Sequence, residues 1–285
     1  MLSQQKTLKK ELVFKGIGVH SGAPSTIRLK PAPFDSGIVF VKNQSADHIM
    51  RVGDVIPEVA MHATVIKSGF WAVSTVEHLM AALSLLGVDN VEIEVDGTEI
   101  PILDGSALPF VQGIYEVGFE LQRAESAWLT PKELLTFQDN HGRLLVIEPA
   151  PQGEPSLFID YNAGFVHPLN GSSIFSGQVT QDFFINEIAP ARTFGNLEQF
   201  PYLRAHGLAQ GSSLGNTVVI GDGELLNDMR LPNECVRHKF LDLLGDLSLL
   251  GKRLAGRITA QKTGHQFNRL VIEHFINNPQ LWELR

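Results

Sequence analysis

The sequence predicts an α+β protein built of two similar halves, and three observations carry that expectation. Short strands and turns open the chain: "ELVFKGIGVHSG" and "STIRLKPAP" read as strand, Gly-rich turn and strand, and "GIVFVKN" is a third strand. Two largely apolar helical stretches, "STVEHLMAALSLLG" and "VRHKFLDLLGDLSLLG", both close on "LSLLG" and both lead into a strand. The strands "RLLVIEPA" and "SLFIDYN" then repeat in the second half the plan of the first.

The elements follow in order from local rules. The first buried helix is expected from about Thr75 to Leu86, closed by Gly87 at C′, where a left-handed cap carries no Cβ strain. Ser74-x-x-Glu77 matches a capping box, so Glu77 is expected to reach back to the N-cap amide. In "VDNVEIEVDG" Val91, Ile93 and Val95 alternate with Glu92 and Glu94, the pattern of a half-buried strand. A second helix lies within "ALPFVQGIYEVG". The polar segment "ELQRAESAWLTPKEL" carries Pro131 and is expected to be a linker near 122–132, dividing the chain into domains 1–126 and 127–285. Downstream, "TQDFFINEIAPARTF" reads as a helix interrupted near Pro190. Val236–Leu250 is a further helix with a broad apolar stripe, and "RLAGRITAQ" is a strand. Leu241, Gly245 and Leu249 flank or interrupt the polar stripe opposite, so that stripe is expected to face a cleft and not water.

Bulk properties narrow the function classes. A chain of 285 residues with 44% hydrophobic and 19% charged residues has ample material for a core. A formal net charge of -8 gives no overall pull towards nucleic acid or an anionic membrane. A single cysteine, Cys235, rules out a disulfide within the chain and suggests a reducing compartment. "MLSQQKTLKKELVF" has no apolar signal region, and no run approaches the roughly 20 apolar residues of a membrane span, so a cytoplasmic protein is expected. "GIGVHSG" is not a dinucleotide loop, because a strand follows it where a helix is required.

Chemistry enters through the two helices. His238, Asp242 and Asp246 rise along one stripe at intervals of four, and His and Asp at i and i+4 can chelate one ion. Two ligands are too few for a catalytic metal, which takes three protein ligands and leaves one position open. Sliding one "LSLLG" onto the other by 164 positions lays His78 on Asp242. If the halves face each other across a pseudo-twofold axis, His78 supplies the third ligand. A His/His/Asp set suits zinc, with other transition metals open. Glu77 beside His78, and His265 expected on a loop after a strand and a Gly turn in "ITAQKTGHQFNRL", complete the residue types of metal-assisted amide hydrolysis: a metal, a carboxylate base and a separate histidine acid.

The motifs "GIGVHSG", "STVEHLMAAL", "DNVEIEVDGTEIPILDGSALPF", "ARTFG", "VRHKFLDLLGDLSLLG" and "KTGH" together resemble the UDP-3-O-acyl-N-acetylglucosamine deacetylase family, zinc hydrolases of lipid A synthesis in Gram-negative bacteria. The resemblance covers nearly the whole chain. It implies two similar α+β domains, each a β-sheet layered with helices and packed helix to helix around a metal cleft. His78, His238 and Asp242 would be the zinc ligands, Glu77 the general base, His265 the acid and Asp246 its orienting partner. Domain 1–126 would supply Glu77 and His78; domain 127–285 would supply the rest and the acyl-binding insert. Thr193 in "ARTFG" would contact the oxyanion. Lys239 and His20 would meet the substrate phosphates, Phe194 the sugar and acyl region and Tyr161 the uracil, with Lys262 from "KTGH" also at the substrate. The implied partner is an acylated UDP-amino sugar, amphipathic but handled without membrane insertion or nucleic acid, by a monomer. One stretch departs from the family pattern: "IDYNAGFVHP", Ile159–Pro168, separates Tyr161 from His167 by extra residues. A zinc amidase for another acylated sugar and a non-catalytic nucleotide-sugar binder remain the alternatives.

Overall fold

Alternating apolar residues build two five-stranded sheets with one topology between them. In the computed structural model, which describes residues 4–43, 48–153, 155–165 and 167–285, the first sheet has the spatial order Leu12–Ile17, Pro24–Pro31, Val91–Asp96, Ile38–Lys42, Ile49–Arg51. The second runs Leu135–Gln138, Leu144–Glu148, Gly256–Gln261, Leu157–Asn162, Ile174–Gln178. In each, two antiparallel hairpins flank a central strand that arrives last, antiparallel to one hairpin and parallel to the other. A parallel neighbour requires a crossover, and a helix provides it in both halves.

The helical segments are α1 (Glu77–Leu85), α2 (Leu108–Val117), α3 (Gln181–Phe183), which continues as a π-helical turn at Phe184–Ile188, α4 (Phe200–Ala205), α5 (Glu234–Ser248) and α6 (His265–Asn277). α1 precedes the first central strand and α5 the second. Their C-terminal turns match: Gly87 N–H donates to Ser84 O and Gly251 N–H to Ser248 O, both at 3.0 Å, with φ of 72° and 75°. Only glycine takes that conformation without strain. Asp89 and Arg253, also 164 positions apart, pair with each other at 3.6 Å. The duplication is therefore visible as topology, cap and register.

α1 and α5 pack on one another, and one buried cluster runs from Ile27 and Ile93 of the first sheet through Leu79 and Leu243 to Ile147 and Ile258 of the second. Residues 77–83 of α1 are all buried, as a helix apolar on nearly every side must be. The helix begins two residues later than its apolar pattern suggested, because Thr75 takes a left-handed φ of 57°.

Two further expectations are corrected. The stretch 122–132 is not a loop: Phe119–Glu125 pairs antiparallel with Gln4–Leu8, and Trp128–Pro131 pairs with Arg253–Leu254 and Trp282–Leu284. Its partners lie about a hundred residues or more away, beyond the reach of local propensity. The stretch 265–277 is helical, although its start was expected as a loop. A three-stranded sheet, Glu58–Ala60, Ala63–Ser68 and Trp71–Ser74, brings Thr64 against the helix pair. No helix among the described residues is long and apolar enough to cross a membrane.

Candidate metal centre

Close backbone contact sets the geometry. At Gly245 of α5 a Cβ atom would stand 2.1 Å from the Glu77 carbonyl oxygen, so α5 meets the first residue of α1 with no side chain between them. This approach gathers His78, His238 and Asp242, all buried, with one potential ligand atom from each inside 4.8 Å of the others. Asp242 Oδ1 lies 3.4 Å from His238 Nε2 and 3.9 Å from His78 Nε2. The imidazoles meet edge to face at 4.9 Å between centroids.

The donor set fits a divalent cation. Ligands about 2.1 Å from a tetrahedral ion lie about 3.4 Å apart, close to these separations. Asp242 Oδ1 is buried and has no hydrogen-bond partner, whereas Oδ2 accepts from Lys239 Nζ. A buried lone pair left open beside two imidazole nitrogens is costly unless a cation or donor completes it. His238 Nδ1 donates to Ala191 O at 3.0 Å, which fixes the tautomer and turns the lone pair of Nε2 inward. Burial first, then the neighbouring His238, lowers the His78 pKa to about 3 and keeps its ring neutral. For Asp242 burial acts upward, but Lys239 and the histidines around it hold the carboxyl below its usual range.

Glu77 and His265 lie beside the triad. The capping box is overturned: the α1 N-cap is Val76 without a side-chain bond, and Ser74 Oγ donates to Thr98 O. Glu77 turns inward instead, its Oε2 accepting Thr64 N–H at 3.3 Å. Burial raises its pKa to about 8 against the opposing charge of His265. His265, the first residue of α6, donates from Nδ1 to Asp246 Oδ2 at 2.9 Å, and its Nε2 is 3.9 Å from Glu77 Oε1. Burial works against its protonation, but Asp246, by charge and hydrogen bond, then Glu77, lift it to about 9. Asp246 is held in turn by Thr64 Oγ1 at 2.6 Å and Asn268 Nδ2 at 2.7 Å.

A cavity of about 460 Å³ opens over these groups, with Lys239, His20, Thr193 and Phe194 in the same wall and Phe165, Phe200 and Leu203 forming an apolar flank.

The family model described as UDP-3-O-acyl N-acetylglycosamine deacetylase matches residues 5–277. The chain belongs to that family. Among curated relatives, the UDP-3-O-acyl-N-acetylglucosamine deacetylase of Syntrophotalea carbinolica is 43% identical over 98% of this chain and 90% of its own length. The protein of that name from an Anaeromyxobacter species is 40% identical over 96% and 89%, and that from Myxococcus xanthus is 38% identical over 98% and 88%.

Within this deacetylase-family chain, two expected substrate residues lie elsewhere. Strand alternation turns Leu157, Ile159 and Tyr161 into the core; the Tyr161 ring is 1% exposed and its hydroxyl donates to Thr263 O. Phe165, beyond the strand end, takes the place at the cavity and meets Phe194 edge to face at 5.6 Å. Val166 of the divergent stretch is outside the described residues. Lys262 does not line the cavity either; its stem packs over Gly164, which does. Lys239 lines the cavity, and its Nζ also bonds the Asp242 carboxylate one helical turn away.

Sequence reasoning missed Thr64, whose neighbours "MHATV" carry no chemical signature, and the buried pair Arg192–Glu234. Glu234 accepts Arg192 Nε at 2.9 Å and Arg192 N–H at 2.8 Å, tying the residue before Thr193 to the first turn of α5. No spacing or motif links Arg192 with Glu234, 42 residues apart, so the sequence carries no signal for that pair.

Proposed function

We propose that the protein is a zinc-dependent deacetylase that hydrolyses the N-acetyl group of UDP-3-O-acyl-N-acetylglucosamine, releasing acetate and a free amine, the reaction named for its relatives. The observation that carries this reading is the convergence of His78, His238 and Asp242 beside Glu77 and His265 in one cavity.

His78 Nε2, His238 Nε2 and Asp242 Oδ1 would hold the zinc. When bound, zinc lowers the pKa of water to about 7 and polarises a carbonyl oxygen. Glu77, desolvated and poised near neutral pH, takes the proton of the attacking water. His265, kept charged and oriented by Asp246, gives a proton to the departing nitrogen. Thr193 in the wall donates towards the oxygen where charge develops. His20 and Lys239 face the diphosphate end, and the flank of Phe165, Phe194, Phe200 and Leu203 receives the acyl and sugar portions. In this reading the substrate is an amphipathic small molecule, and the enzyme works on it as a cytoplasmic monomer.

Acetate release from UDP-3-O-acyl-N-acetylglucosamine, abolished by a chelator and restored by zinc, is the expected result. Zinc-loaded protein that leaves this substrate intact but cleaves another acylated amino sugar would replace the substrate assignment.

A further inference from the structure

Glu99 is 2% exposed and forms no salt bridge with lysine or arginine among the described residues. It collects four donors instead. Oε1 accepts His20 N–H at 2.9 Å and Thr75 Oγ1 at 3.1 Å; Oε2 accepts Ser21 N–H at 2.9 Å and Ser21 Oγ at 2.6 Å. The 18–22 turn presses on the carboxylate so closely that a Cβ at Gly18 would stand 2.0 Å from Oε2. The glutamate's neighbours anchor the chain on both sides, with Ser74 N–H on Thr98 O and Ile100 N–H on Ser74 O, both at 3.0 Å, and Ser25 Oγ donates to the glutamate's own carbonyl. On its outer side the turn is held by Gln210 N–H on His20 O and Gly211 N–H on Val19 O. His20 enters the cavity wall from this turn, and its Nδ1 is buried with no hydrogen-bond partner.

We infer that Glu99 is a positioning residue for the proposed reaction: its carboxylate clamps the His20 turn against Thr75, two residues ahead of Glu77. The inference rests on the deacetylase reading for the role of His20 in substrate binding. The chemistry of the clamp is specific. An ionised carboxylate only accepts, and here each oxygen meets a backbone N–H. A glutamine of the same shape must turn its NH₂ group onto one of those two amides, whichever way it flips. The turn then shifts, and with it the ring that meets the substrate. The reacting groups on α1, α5 and α6 keep their own supports, so uniform binding is lost and turnover is spared.

The test is Glu99→Gln in the zinc-loaded, full-length protein. KM for UDP-3-O-acyl-N-acetylglucosamine is expected to rise about ten- to a hundredfold, with kcat within about threefold of the parent. Zinc stoichiometry stays unchanged, and hydrogen exchange at the His20 and Ser21 amides accelerates without substrate. An unchanged KM, an equal loss in kcat, or amides as protected as in the parent would overturn the assignment. Ser21→Ala removes one donor and leaves the fold intact; it is expected to raise KM about two- to fivefold, and it decides the matter if the glutamine variant does not fold. A parent protein that releases no acetate would remove the deacetylase reading alone, because amide exchange reads the clamp without turnover.

Discussion

Glu77 shows how one residue's environment sets its work. Its place at the start of a helix suggested a cap, but the left-handed Thr75 and the bond from Thr64 N–H turn it into a dry pocket, where burial raises its pKa to about 8. Glu77→Gln keeps shape and hydrogen bonding and removes basicity, so turnover is expected to fall by about 10²–10⁴ while the metal is retained. Acetate release read beside metal content checks this, and undiminished turnover would remove Glu77 as the base. His265 gives a second prediction at this scale. Its folded pKa of about 9 lies above the ordinary 6.5, so its pairing with Asp246 stabilises the metal-free protein fully below pH 6.5 and is lost as pH rises through 9. The melting temperature of the chelated protein should therefore fall across that window, and Asp246→Asn should flatten the fall. A wild-type curve already flat there would contradict the pairing.

At the scale of elements, the decisive contact is α1 on α5. Gly245 interrupts the polar stripe of α5 because the α1 backbone occupies the place of its side chain. Gly245→Ala should destabilise by about 1–3 kcal/mol through overpacking and should also displace Glu77. Urea denaturation together with turnover tests both; an alanine variant of full stability would mean the helices can move apart freely. The stripe His238, Asp242, Asp246 was legible from spacing alone, and α5 buries all three at 4% exposure or less. Its reading as a cleft-facing surface rested on Leu241, Gly245 and Leu249 lying among the polar positions, and all three are buried or in backbone contact. α6 was not legible, since "HQFNRLVIEHFI" follows a Gly turn and its first residue was singled out for chemistry, not for propensity. Phe165 escaped notice for a different reason: it lies past the end of a strand, where alternation no longer says which way a ring points.

At the scale of the whole molecule, the triad takes His78 from the first half and His238 and Asp242 from the second, so a bound cation joins the two. A ligand that binds only the folded state stabilises it by mass action. Chelation is therefore expected to lower the melting temperature and zinc to restore it, and His238→Ala should abolish both the metal and the response. Equal melting temperatures with and without the ion would argue against a shared site. The sequence by itself determined the two-part α+β plan, the pairing of "LSLLG" helices, the placing of His238 and Asp242 on one helix face and, through the 164-residue offset, the convergence of His78 with Asp242, because helical period and duplication are local or repeated signals. Only the tertiary structure decided that 122–132 pairs as strands, that Tyr161 serves the core, and that Thr64 and Glu99 support the site. These depend on partners brought together from distant parts of the chain, and hydrogen bonds between such partners leave no periodic trace in the sequence that makes them.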